Sequence, residues 1–435
     1  MNDRPLVTRR GFVAASVSAV GAAGTARAAD PSNVRQATNR SARALAQDFS
    51  IVHQRSDPRT YVEGCGLIVL PGGSILAVVP VVPRGGIPKE GPTEINYVRS
   101  DDGGKSWTTI SRLPFYSAVP FLHDGRLFTF LFSMGTRFRS DSVYLAASDD
   151  GGETWTEPAQ IFTGHFWTCQ TSMVVRGQRL YWAIDDLRQP DHSRHRSPRA
   201  IVGDLSADLM DPASWRISNF VPFPGMPKEL LRNDDDLEGL GIWNMPDHWL
   251  EANVVEVGGR LRLLATVKSQ WQTLSNLCGV CDIEDDGTEL TMTFRQFHPM
   301  TGGQLKFAII RDEPSRLFWA TANFVVDGQE SQDWWDEARR SRRFNGMGGN
   351  DRRFLMLLYS VDALNWFQAG CVAQAKMLRQ SFMYGTPVVD GDDLLVISRT
   401  SINASDQHDA DHATFHRIRD FRSLALNLFP ERSAI

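Results

Sequence analysis

Eight polar residues stand at the edges of otherwise apolar runs in this chain: His165, Glu251, Asn253, Lys306, Tyr384, Arg399, His408 and Asp409. Their types suit acid–base chemistry on an anionic substrate. Glu251, Asp409, His165 and His408 carry groups able to exchange protons with a substrate oxygen. Lys306 and Arg399 offer fixed positive charge for a carboxylate or sulfate, the lysine as a point charge and the arginine as a planar fork. Asn253 and His408 add hydrogen-bonding capacity beside them. Each type is equally at home as a satisfied structural group, so the set acquires meaning only where the fold brings it together.

The elements that must do so are strands. From residue 45 onward, short apolar runs are cut by Gly, Asp, Asn and Pro. "GLIVLPGGSILAVVPVV", "ANVVEVGGRLRLLATVK", "FAIIRDEPSRLFWATANFVV" and "GTPVVDGDDLLVISRT" each read as strand, turn, strand. Few stretches show helical periodicity, and "SQDWWDEARRSRRF" is the best candidate. One loop recurs. "SDDGGKSW" at Ser100–Trp107 returns as "SDDGGETW" at Ser148–Trp155, with a degenerate copy, "SVDALNW", at Ser360–Trp366 and a looser one, "SADLMDPASW", at Ser206–Trp215. A further unit fits around "CDIEDDGTELTMTF". Ser and Asp oxygens accept from turn amides, Gly permits positive φ, and the tryptophan gains a fixed packing site. Units of this length, with four strands each, read as propeller blades. Boundaries near 57–112, 113–160, 163–218, 248–296, 302–368 and 380–427 give six, with 45–55 as a closing strand.

These loops resemble the Asp-box of sialidases and related six-bladed β-propellers. The segments "GHFWTCQTSMVVRGQRLYWA", "WLEANVVEV", "GGQLKFAIIRDEPSRLFWATAN", "RFLMLLYSVDALNWF" and "GDDLLVISRTS" resemble exported bacterial sialidase-like proteins. The resemblance implies an all-β six-bladed propeller with its site at the mouth of the central channel. It also implies a tyrosine nucleophile activated by a carboxylate, an aspartate as acid/base and three arginines on the sugar carboxylate. Tyr384 in "FMYGTPVVDGDDLLV" matches the nucleophile strand, and Glu251 matches the base. Where the second arginine would stand the chain has Ala265 and Thr266, and "YVEGCGLIV" replaces the first. Arg59, Arg84 and Arg399 remain, outside matching positions, so sialic acid is not the expected substrate.

The N-terminus is set apart from the fold. Arg9-Arg10, a weakly apolar run and Ala26-Arg27-Ala28 resemble a twin-arginine signal over residues 1–28. A linker at 29–44, one propeller at 45–435 and a periplasmic or secreted location follow. No run of 18 apolar residues predicts a membrane span. Net charge −5 and pI about 6.1 argue against nucleic acid. Five cysteines, an odd number, make no disulfide framework, and "CGVC" at Cys278–Cys281 lies on a strand rather than at a helix N-terminus. The histidines of "HDADHATFH" spread along a strand and the acidic run at Asp234–Glu238 reads as a solvated loop, so no metal or other cofactor is expected. The expected partner is a carbohydrate, and the expected activity exo-acting glycoside hydrolysis. The alternatives are a lyase on a uronate glycan and a sugar-binding propeller without catalysis.

Overall fold

Twenty-six β-strands account for nearly all regular structure among the described residues. The computed structural model describes residues 43–84, 93–133, 142–187, 196–225, 248–268, 276–326, 351–377 and 379–426. The signal, nearly all of the linker, the helical segment "SQDWWDEARRSRRF" and the acidic run at Asp234–Glu238 lie outside the described residues.

The strands form six antiparallel sheets. β1 (Ser50–Gln54) belongs to the last of them. Blade 1 holds β2 (Thr60–Val62) and β3 (Gly66–Val69), both paired with β4 (Ile75–Pro83), then β5 (Glu94–Ser100) and β6 (Thr108–Leu113). Blade 2 runs β7 (Ser117–His123), β8 (Arg126–Phe132), β9 (Ser142–Ser148) and β10 (Ala159–Thr163). Blade 3 has β11 (Phe166–Trp167) and β12 (Val174–Arg176) on β13 (Arg179–Asp186), then β14 (Ser197–Asp204) and β15 (Trp215–Ile217). Blade 4 is β16 (His248–Val257), β17 (Arg260–Lys268), β18 (Leu277–Asp285) and β19 (Leu290–Pro299). Blade 5 is β20 (Ala308–Asp312), β21 (Leu317–Phe324), β22 (Phe354–Ser360) and β23 (Trp366–Gln374). Blade 6 is β24 (Ser381–Asp390), β25 (Asp393–Ser401) and β26 (His412–Ile418), completed by β1, which pairs with β26 from the other end of the chain. The six blades and the closing strand expected from the turn pattern are therefore present.

The core lies between blades rather than inside one sheet. Phe128, Phe130, Trp182 and Trp215 fill the gap between blades 2 and 3, and Trp319, Tyr359, Phe382 and Phe421 fill that between blades 5 and 6. Burial of such rings supplies most of the adhesion. Polar side chains then stitch neighbouring inner strands around the channel. Ser117 donates to the Thr168 carbonyl, Gln170 exchanges two bonds with the Leu67 backbone, and Thr386 donates to the Cys65 carbonyl.

Each intact repeat is a closed hydrogen-bonding device at a third-to-fourth strand hairpin. Asp102 Oδ1 accepts from the backbone of Lys105 and Ser106, both at 2.9 Å, and Gly104 N–H donates to Ser100 at 2.8 Å. Asp150 repeats the pattern with Glu153 and Thr154 at 3.0 and 2.9 Å. Asp362 serves the β22–β23 hairpin, and Asp286 that between β18 and β19. Gly104 has φ of 90°, and a Cβ there would lie 2.2 Å from the Phe415 ring, so glycine lets this loop seat against blade 6. Hydrogen bonds from Thr154 and its neighbours hold Asp150 down at about 2, below its ordinary 3.8, and the Ser106 bonds hold Asp102 low in the same way. A carboxylate depressed on folding stabilises above its unfolded pKa and loses that effect as pH falls through its folded one. D150N should therefore melt earlier than wild type at neutral pH. The gap should close between about pH 4 and pH 2 in thermal melts, and a pH-independent gap would show that the charge has no part.

Candidate active site

Two strained residues face each other at the channel. Glu251 and Tyr384 are each the fourth residue of an inner strand, in β16 and β24. Each sits in a bulge: Leu250 opposes Thr266 but Asn253 opposes Leu264, and Met383 opposes Arg399 but Thr386 opposes Ile397. Their φ values are 51° and 53°, in the left-handed region. That conformation costs a non-glycine residue about 1–3 kcal/mol and persists only where the surroundings enforce it. A bulge re-aims its side chain out of the strand's alternation. Here both turn toward one another, and the Tyr384 hydroxyl donates to Glu251 Oε1 at 2.9 Å. Burial, followed by the Glu251 charge, pushes the phenol well above its ordinary value, while Arg352 and Arg399 pull it back. Glu251 is 1% and Tyr384 9% exposed.

The bulges are held from below and from the side. Lys306 Nζ donates to the Gly385 carbonyl at 3.2 Å and to Thr386 Oγ1 at 3.4 Å, 5.9 Å from the Tyr384 ring. Burial lowers its pKa. Lys306, expected to anchor a substrate anion, has its ammonium buried and ties blade 5 to the tyrosine bulge. Asn253, expected at the substrate, is buried as well. Its Oδ1 accepts from Ser172 and Ile309 N–H, both at 3.0 Å, and its Nδ2 donates to the Phe307 carbonyl, joining blades 3, 4 and 5. Beyond this belt the channel opens at its other end into a cavity of about 720 Å³. Its walls are mostly aliphatic, including Leu67, Val174, Val255, Ile310 and Val388, and it lies away from the Glu251–Tyr384 pair.

Blade 3 contributes an ion pair that the sequence did not disclose. Asp185, at the end of β13, accepts the Glu251 backbone N–H with both oxygens, at 2.9 and 3.1 Å. Arg196 donates to the same carboxylate through Nε at 3.1 Å and through Nη2, and its guanidinium covers the Trp167 ring at 4.4 Å. Burial pushes the Asp185 carboxyl up to about 6, against the pull of Arg196.

Blades 1 and 6 supply a second buried pair. Arg399 donates to Glu63 Oε1 at 3.1 Å and to the His408 carbonyl. It stacks over Tyr61 and Tyr384, 4.9 and 5.2 Å from the ring centres. Burial, then the Arg399 charge, lowers the His408 pKa, so that imidazole is neutral at neutral pH. Asp409 is held between His408, at 2.9 Å, and Arg84, at 2.8 Å. Burial opposes its charge, but these two partners outweigh it and keep the carboxylate ionised far below the usual range. Asp409, expected as an acid–base candidate, is thus held as a carboxylate between His408 and Arg84. His165 lies beyond the end of β13, where its carbonyl accepts from Leu187 N–H at 2.7 Å.

Several polar atoms here are buried and unpartnered: Glu251 Oε2, Arg352 Nη1, Arg399 Nε, His165 Nδ1 and the Trp167 indole nitrogen. Buried polar atoms in folded proteins are nearly always paired, so a cluster of exceptions marks where a ligand would supply partners. Most are donors, which fits a ligand rich in acceptor oxygens. Lys268 faces the same field, its ammonium pushed down to about 7 by burial and then by Arg352. The arginine count from sequence is revised. Arg59 remains at the surface on Asp57, and Arg84 is spent on Asp409. Arg196, Arg352 and Arg399, from blades 3, 5 and 6, all act electrostatically on Tyr384. Arg196 and Arg352 each stand just before the third strand of a blade, a position that reads in sequence as ordinary flanking charge.

No protein-family profile matches the sequence, and no curated protein matches it significantly. Solved structures do share the arrangement. Penicillium chrysogenum α-L-arabinanase complexed with arabinobiose aligns over 86% of this chain and 98% of its own, at 14% identity and a TM-score of 0.51. Trypanosoma rangeli sialidase in complex with sialic acid aligns over 87% of this chain and 58% of its own, at 12% identity and a TM-score of 0.52. The chain has the sialidase-like six-bladed β-propeller fold. The GH93 α-L-arabinofuranosidase of Fusarium graminearum shares this propeller at 10% identity and a TM-score of 0.50, over 86% and 97% of the two chains. Among the described residues of the propeller, no helix is long and apolar enough to cross a membrane.

Proposed function

We propose that this propeller is an exported glycoside hydrolase that removes a terminal, carboxylate-bearing sugar from an oligo- or polysaccharide. The hydrogen bond between Tyr384 and Glu251, each mounted on a left-handed bulge, carries the reading. The glycoside hydrolases that share the fold support it, and the Arg9-Arg10 segment supports export. Glu251 takes the phenol proton as the Tyr384 oxygen attacks the anomeric carbon. The bond to the leaving oxygen breaks, and that oxygen takes a proton from His165. Water then attacks the anomeric carbon and gives a proton back to His165, the bond to Tyr384 breaks, and Glu251 returns its proton to the phenolate. A phenol suits an anionic sugar because, unlike a carboxylate nucleophile, it does not repel the substrate charge. Arg352, with its open Nη1, and Arg399 hold the sugar carboxylate.

The test is turnover of 4-methylumbelliferyl glycosides: an α-sialoside, a β-glucuronide, an α-L-arabinofuranoside and a β-galactoside. Fluorophore release from an acidic sugar alone supports the reading. Release from the neutral sugars overturns its anionic part, a new unsaturated uronate identifies a lyase, and binding without turnover identifies a sugar-binding propeller. Arg352→Ala should cut kcat/KM on the acidic glycoside by about 10- to 100-fold, the loss expected for one charge-assisted hydrogen bond. It should leave any neutral substrate within a few-fold.

A further inference from the structure

The Asp185–Arg196 pair does more than fill a gap between blades. Glu251 adopts φ of 51°, so its peptide N–H leaves the β16–β17 ladder, and both Asp185 oxygens take it up. Arg196 pins that carboxylate and is pinned in turn on the Trp167 ring. We propose that Asp185 is a positioning residue that fixes the Glu251 bulge and neutralises Arg196, leaving Glu251 free to accept the Tyr384 proton. The proposal rests on the hydrolase reading.

The charges around Glu251 make the second task necessary. Tyr384, Asp185, Arg196, Arg352, Lys268, Lys306 and the Cys169 thiol all interact with it electrostatically, and four of these seven are cationic types. Asp185 is the largest counter-charge to Arg196, with Glu251 next. Without the Asp185 charge, Arg196 falls to Glu251, which becomes a weaker base toward the phenol.

The experiment compares D185N, R196Q and the D185N/R196Q double variant, reading kcat, KM and the pH profile on the acidic aryl glycoside. The amide introduced by D185N retains one acceptor for the Glu251 N–H but not the charge. D185N should lose about 10- to 100-fold in kcat with KM little changed, a part of what a general base contributes. The acid limb of its kcat profile should move, since D185N removes a carboxyl that burial holds up at about 6 against the Glu251 peptide. The double variant, neutral at both positions, should recover most of the loss. Unchanged kcat overturns the proposal. So does a loss with an unmoved acid limb and no recovery in the double variant, which describes a structural role only. If wild type cleaves none of the glycosides, the hydrolase reading has failed, and crystal structures of wild type and D185A decide the rest. Glu251 leaving the left-handed region and releasing Tyr384 in D185A supports the positioning role. An unchanged bulge and an intact Tyr384–Glu251 bond overturn it.

Discussion

Replacing Tyr384 by phenylalanine should lower turnover of the cleaved glycoside by about a thousand-fold or more while leaving the propeller folded. The substitution removes one hydroxyl and keeps the ring over which Arg399 stacks. It leaves Glu251 without its hydroxyl donor, so both carboxylate oxygens face the channel. Glu251→Gln should cost about 10²–10⁴-fold, because the amide still meets the hydroxyl but takes no proton. The two losses should not add, since each disables the same proton transfer. Rates on an aryl glycoside, with melting temperatures as the control for folding, decide it. A Tyr384→Phe enzyme with most of its activity would mean that Glu251 itself attacks and the tyrosine only orients it.

The second large effect is on stability. Arg399 and Glu63 are 0% and 5% exposed in their side chains; burial pushes the Glu63 carboxyl up, but the Arg399 charge together with His408, the Tyr61 hydroxyl and the Gly64 amide brings it below its ordinary range. Arg399→Met leaves a carboxylate buried without its cation, a change that costs about 3–5 kcal/mol. The sign with pH follows from Glu63. In wild type its depressed pKa stabilises above the unfolded value of about 4.3 and loses that effect as the pH drops through the folded value. In the variant the Arg399 charge no longer opposes burial, the largest influence on this carboxyl, so the penalty grows as pH rises past the unfolded pKa. Denaturant melts of wild type and Arg399→Met should therefore diverge at pH 7 and converge only as the pH falls below about 4. Adding Glu63→Leu should recover much of the loss, since the orphaned charge is gone. A gap independent of pH would mean that lost packing against Tyr61 and Tyr384 dominates.

Turn chemistry was legible because it is local. The Ser100–Trp107 and Ser148–Trp155 loops make most of their bonds within four residues, so the repeat announces the hairpin wherever it stands. Blade boundaries followed from those hairpins. Glu251 and Tyr384 were legible as polar residues on apolar inner strands, but the same signal also picked Asn253 and Lys306. A propeller needs polar groups on inner strands for two purposes, contact with a ligand and stitching of one blade to the next, and sequence does not separate them. Asp185 and Arg196 were missed for a different reason. Their value lies in contacts with Glu251, 66 residues beyond Asp185, and no short-range pattern encodes such a meeting.

The strand that completes blade 6 has a consequence for when the site can exist. β1 leaves the ribosome more than three hundred and fifty residues ahead of β26, and must wait for it before it can pair. Tyr384, Arg399 and the carbonyl that Arg399 grips all belong to that last-made blade. A nascent chain can hold five finished blades and still have neither the phenol nor its cation in place. The Tyr384–Glu251 pair therefore cannot form until blade 6 has been made, and a product truncated before residue 384 would be a partial ring lacking Tyr384.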